Sequence, residues 1–108
     1  MNTTFGEYIK QLRTGKRLTL TELAALLKLD SANLCKIENG KREFDEKRLD
    51  KLAIIFELDL NRLKIEYFSD KFAKKMYEYD CSLETLIVAE EKVDYLKRMK
   101  LKQSELKI

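Results

Sequence analysis

Residues 19–39 read TLTELAALLKLDSANLCKIEN and are followed by Gly40-Lys41-Arg42. Two helix starts stand close together in this stretch. Thr19, with Glu22 three residues on, forms a capping box, in which each side chain satisfies a backbone N–H that the first turn leaves open. Asp30 opens the next helix, where a short acceptor side chain does the same work. Lys28-Leu29 leaves room only for a turn between them. Helices this short do not stand alone in water, so both must pack on something. The second, Ser31 to Glu38, turns Leu34 and Ile37 to one face and leaves Ser31, Ala32, Cys35, Lys36 and Asn39 on the other. A short helix with a small, polar and basic outer face is of a kind that enters a DNA major groove.

The chain on either side is built in the same way. A first helix starts at Thr4, with Glu7 completing another capping box. Phe5, Tyr8, Ile9 and Leu12 form its apolar stripe, Arg13 lies at the stripe's edge, and Lys16-Arg17 makes a basic end suited to a helix C-terminus. One pattern then recurs. An apolar residue precedes a capping residue, and a second apolar residue follows five positions after the first: Leu18, Thr19, Leu23; Leu29, Asp30, Leu34; Phe44, Asp45, Leu49; Leu58, Asp59, Leu63. Each set reads as a hydrophobic staple around an N-cap. Gly40 supplies a left-handed residue to end the helix before it. A fourth helix is expected from about Glu46 to Phe56, burying Leu49, Leu52, Ala53 and Phe56, and a fifth from Leu60. Residues 1–65 are thus expected to form a compact unit of five short helices.

Residues 66–108 read as a helical extension. Phe68, Phe72, Met76 and Tyr79 lie on one stripe, with Lys71, Lys74, Lys75 and Glu78 opposite. Ser69 either caps this helix or lies within a continuation of the fifth. Ser82 is expected to cap a last helix bearing Leu83, Leu86, Ile87, Val93, Leu96 and Met99, with Cys81 packed beside Leu86. Leu101 to Ile108 is expected to fray.

Composition narrows the function. Among 108 residues there is no Pro and only three Gly, which argues against a β protein with its closely spaced turns. No His is present, and the two cysteines, Cys35 and Cys81, stand in no CxxC pattern. A zinc site lacks ligands and the commonest general base is missing. No metal, cofactor or catalytic group is therefore expected. At 38% charged residues and without an apolar run near the ~20 residues that span a bilayer, the chain is expected in the cytoplasm and off the membrane. Its net charge of +3 permits nucleic acid as a partner and requires any footprint to be local.

Residues 4–65 resemble the Cro/phage-repressor (XRE-like) helix-turn-helix regulators. The resemblance lies in Leu23-Ala24, Leu27, Leu29, Leu34 and, most specifically, Ile37-Glu38-Asn39-Gly40-Lys41. It implies an all-α, five-helix helix-turn-helix domain that binds double-stranded DNA. Ser31, Ala32 and Lys36 match the positions that touch base edges, flanked by Asp30 and Cys35. Asn39, Lys41 and Arg42 match phosphate-contacting positions. Arg13 and the match to Glu38 stand where the family often has a structural ion pair. Two positions depart from the pattern. Leu20 replaces the Gln that helps grip a phosphate, which leaves that contact to Thr19, Thr21 and backbone N–H groups. Lys28 replaces the Gly of the turn and must accept some strain if its φ is positive.

Together these readings give a transcriptional regulator, an autoregulatory repressor by expectation, that reads a palindromic operator as a homodimer through its extension. A restriction–modification controller or an antitoxin of the same fold is the alternative within the family. A protein-interaction module that has lost DNA binding is the alternative outside it.

Overall fold

The computed structural model describes residues 3–106. Among them every regular element is helical: α1 (Phe5–Gly15), α2 (Leu20–Leu27), α3 (Ser31–Glu38), α4 (Leu49–Phe56), α5 (Leu60–Glu78) and α6 (Glu84–Leu106), with a 3-10 turn at Glu46–Arg48. The five-helix unit and the helical extension expected from the sequence are both present. None of the described helices is long and apolar enough to cross a membrane.

The N-caps form largely where the side chains require. Thr19 Oγ1 accepts from the Glu22 N–H at 3.0 Å, and Glu22 Oε1 accepts from the Thr19 N–H at 2.9 Å. At α1 only half of the expected box forms: Thr4 Oγ1 accepts from the Glu7 N–H, but Glu7 takes the Thr4 hydroxyl instead of its backbone N–H. Asp45 caps the 3-10 turn, so α4 begins at Leu49 and not at Glu46. The tighter turn brings Arg48 back toward Asp45 at 3.1 Å.

The C-termini share one device that sequence periodicity does not reveal. After α2, the Lys28 N–H reaches Ala25 O at 3.2 Å and the Leu29 N–H reaches Ala24 O at 2.8 Å, which is the Schellman pattern around a left-handed residue. The same pair of bonds closes α1 around Arg17, α3 around Gly40, α4 around Glu57 and α5 around Asp80. Their φ values run from 51° to 76°. Gly40 accepts this conformation without penalty, whereas each residue with a Cβ pays about 1–2 kcal/mol. The offset is apolar burial. Leu18, Leu29 and Leu58 follow Arg17, Lys28 and Glu57, and each packs against the core. Each is also the first residue of a staple, whose partners Leu23, Leu34 and Leu63 are at most 1% exposed. One leucine therefore closes one helix and opens the next, which is why the connections are so short.

The core lies within residues 5–67. It extends past residue 65, because Tyr67 is buried and its hydroxyl donates to Phe44 O at 2.6 Å. Phe5 stands 5.7 Å from Phe44 and 5.1 Å, edge to face, from Tyr67. Gly6 sets the approach of α1 to α3. A Cβ there would lie 2.2 Å from Ile37 O and 2.9 Å from Glu38 O, so only a residue without a side chain lets the two backbones meet.

The described residues fall into two compact units, divided between Ala73 and Lys74. α5 runs unbroken through this point and continues past Ser69, whose hydroxyl donates to Glu66 O within the helix. In the second unit Cys81 is exposed and does not pack as expected. α6 continues to Leu106, through most of the stretch expected to fray; residues 107 and 108 lie outside the described residues.

Candidate nucleic-acid interface

α3 owes its orientation to what it buries. Leu34, Ile37 and Glu38 face inward, at 0%, 5% and 6% exposure. Burial of an acid is tolerated because Arg13 meets it with two prongs: Nε donates to Glu38 Oε2 at 2.7 Å and Nη2 to Oε1 at 3.0 Å. Arg13 Nη1 also donates to Leu18 O at 3.0 Å. The hydrogen bonds that Arg13 donates to Glu38 raise the Arg13 pKa further, against the opposing effect of burial. One side chain thus joins α1, the α1–α2 turn and the end of α3.

With that face fixed, Ser31, Ala32, Lys36 and Asn39 are exposed, and Asn33 and Cys35 are half-buried. Lys41 and Arg42 follow, exposed, in the next loop. Thr19 and Thr21 are exposed at the start of α2. Thr19 Oγ1 is already an acceptor within the capping box, and its hydroxyl proton remains available to a phosphate oxygen. Glu22 is held below the usual carboxylate range, first by the Thr19 N–H and then by the Thr19 side chain. Leu20, where a phosphate-gripping Gln is usual, is half-buried against the core. Lys28 does adopt the left-handed conformation, with φ 58°. Arg48 supports this turn from outside, donating Nε to Leu27 O at 3.0 Å.

The outer face carries a network that sequence reasoning missed. Asp30 Oδ1 accepts from the Asn33 N–H at 2.7 Å, and Oδ2 accepts from Asn33 Nδ2 at 3.0 Å. Asn33 Oδ1 in turn accepts from Arg42 Nη1. The loop after α3 is thereby tied to the first turn of α3 through Asn33. The cap at Asp30 is legible in the sequence. The closure to a residue nine positions on requires the turn at Gly40. Asn39 Nδ2 donates to Cys35 Sγ at 3.4 Å. Two candidate phosphate-binding side chains, Asn39 and Arg42, are therefore positioned by α3 itself. Among the described residues no group of three His, Cys, Asp or Glu stands together to hold a metal.

The helix-turn-helix domain family matches residues 6–67. The chain is similar to the ImmF control region 10 kDa protein of Bacillus phage phi105, 42% identical over 60 residues, which are 56% of this chain and 67% of that protein. It is also similar to the uncharacterised HTH-type transcriptional regulator RghRB of Bacillus subtilis strain 168, 45% identical over 38 residues. That match spans 35% of this chain and only 27% of RghRB. Its fold is like that of the clp gene regulator ClgR from Corynebacterium glutamicum, with a TM-score of 0.50 at 21% identity over 88% of this chain and 87% of that one. The chain belongs to the helix-turn-helix domain family, as a DNA-binding transcriptional regulator of the Cro/phage-repressor (XRE-like) type.

Proposed function

We propose that this regulator is an autoregulatory repressor that binds a short, partly palindromic operator as a homodimer. Each protomer lays α3 in a major groove. Ser31, Ala32 and Lys36, with Cys35 beside them, meet base edges: the Lys36 ammonium donates to guanine O6 and N7, and the Ala32 methyl packs on a thymine methyl. Asn39, Lys41, Arg42 and the α2 start at Thr19 and Thr21 take phosphate oxygens, a contribution independent of sequence and weakened by salt. Residues 66–108 supply the dimerisation element. In this reading the protein works in the cytoplasm and performs no covalent chemistry.

The observation that carries the reading is the division of α3 into a buried face of Leu34, Ile37 and Glu38 and an exposed face of Ser31, Ala32 and Lys36, with Lys41 and Arg42 alongside. Selection of bound sites from random duplex DNA tests it. The expected result is a sequence with two inverted half-sites about one helical turn, ~34 Å, apart. Enrichment of no sequence, or of a single half-site without its inverted copy, would overturn it.

A further inference from the structure

Asn33 stands in the first turn of α3, half-buried, and its side-chain amide is engaged at both ends. Nδ2 donates to Asp30 Oδ2 at 3.0 Å, and Oδ1 accepts from Arg42 Nη1. Only one orientation of the amide fits. A carboxylate only accepts and a guanidinium only donates. Turning the amide over would set its oxygen against Asp30 and its N–H groups against Arg42. Asp30 is itself held in place, because its Oδ1 caps α3 through the Asn33 N–H at 2.7 Å.

This arrangement decides what two side chains can do. An asparagine on the outer face of such a helix could grip adenine N6 and N7 with the same two groups. Here both groups are taken up within the protein, which withdraws Asn33 from base reading. Arg42 is exposed and stands in no ion pair among the described residues. It is tied by a neutral carbonyl, so its charge and its remaining N–H donors stay free for an anion. Arg48 shows the contrast. It meets the Asp45 carboxylate at 3.1 Å and Leu27 O at 3.0 Å, and is committed to the fold. An unrestrained arginine loses rotamer freedom when it is fixed at an interface, which lowers affinity about two- to tenfold. Asn33 imposes that order before DNA arrives.

We propose that Asn33 is a positioning residue for DNA binding, a neutral relay from the Asp30 carboxylate that holds the Arg42 guanidinium ready for a phosphate without cancelling its charge. This rests on the reading of Arg42 as a phosphate contact and adds to it the residue that aims it. Asn33 acts through Arg42 and touches no base.

The test is a double-substitution cycle on the full chain. Binding to a short mixed-sequence duplex is followed by fluorescence anisotropy across a salt series, with circular dichroism melts to establish that each variant is folded. Asn33→Ala keeps the backbone N–H that Asp30 caps, and is expected to weaken binding about two- to tenfold with the salt slope unchanged. In an Arg42→Ala background the same substitution should change nothing, since there is no guanidinium left to aim. Asn33→Asp should pair with Arg42 directly and lower the salt slope by about 1, as Arg42→Ala does, and should not lower it further once Arg42 is gone. Asn33→Ser, too short to span from Asp30 to Arg42, repeats the first arm if the alanine variant loses α3. An Asn33→Ala variant that binds as the wild type does, or that loses equally with and without Arg42, would overturn the positioning role and leave the Arg42 contact standing. An Asn33→Asp variant with an unchanged slope would overturn the need for a neutral relay. An unchanged slope for Arg42→Ala itself would refute the phosphate contact, and the inference with it.

Discussion

Glu38→Ala should cost about 3 kcal/mol of folding stability, and the cost should come from Arg13. The substitution removes both acceptors of the Arg13 fork, at 2.7 and 3.0 Å, and leaves Leu18 O at 3.0 Å as the remaining partner. A guanidinium does not escape by losing its proton, so it stays charged in a site where its side chain is only 12% exposed. An exposed ion pair is worth about 0–1 kcal/mol. Breaking a buried one costs about 3–5 kcal/mol, because the survivor is desolvated without compensation. The residual exposure of Arg13 puts this pair at the lower end. For a domain of this size about 3 kcal/mol corresponds to a fall in Tm of roughly 12–24 °C. Urea denaturation read by circular dichroism measures the loss, and a companion Arg13→Leu, Glu38→Leu variant should recover most of it, since no charge is left behind. A loss under about 1 kcal/mol for Glu38→Ala would refute the argument, because the pair would then behave as a surface contact. Glu38 faces inward, so the folded fraction should keep its preference among DNA sites.

Lys36→Ala should weaken operator binding by about 1–3 kcal/mol and relax one base position, measured by titration against single-base operator variants; equal loss on operator and random DNA would remove its base-reading role. Arg42→Ala should weaken all sequences alike and lower the salt slope by about 1, and an unchanged slope would exclude the phosphate contact. Lys28→Gly should stabilise the domain by up to about 1 kcal/mol, because glycine removes the left-handed strain at φ 58° and gives back part of that gain as chain entropy; the urea midpoint should rise at constant m. Tyr67 has its pKa raised above 10.0, first by burial and then by Glu43, Glu46 and Asp45. The folded state therefore holds the phenol proton more tightly. Stability from this group is complete below pH 10 and is lost as pH rises through the higher folded value. Tyr67→Phe should lower stability near neutrality by about 1 kcal/mol and flatten the alkaline decline relative to wild type in melts followed against pH.

Local chemistry makes much of this fold legible in the residues. Capping residues and staples are interactions between positions three to five apart. Thr4, Thr19, Asp30 and Asp45 are therefore recognisable as helix starts from their neighbours alone, and Leu23, Leu34, Leu49 and Leu63 as core residues. Where the local rule is ambiguous the fold departs from it in small ways. Asp45 opens a 3-10 turn instead of α4, and Glu7 answers the hydroxyl of Thr4 and not its N–H. The left-handed ends at Arg17, Glu57 and Asp80 carry no sequence signal, because the residue type favours another conformation and the following turn overrides it.

By itself, then, the sequence determined the five short helices of the first unit, most of their starts, their buried stripes and the family-specific run from Ile37 to Lys41. Those properties depend on neighbours along the chain. Only the tertiary structure decided which groups meet across it. Gly6 is required because α1 comes within a Cβ of the α3 carbonyls. Asn33 matters because the Gly40 turn returns Arg42 to the first turn of α3. Tyr67 joins the core because Phe44 O lies at its hydroxyl. The stretch from Thr19 to Asn39 carries in its own residues the two helices and their outer face. The direction in which α3 presents that face is set from outside, by the two hydrogen bonds from Arg13 that hold Glu38 inward.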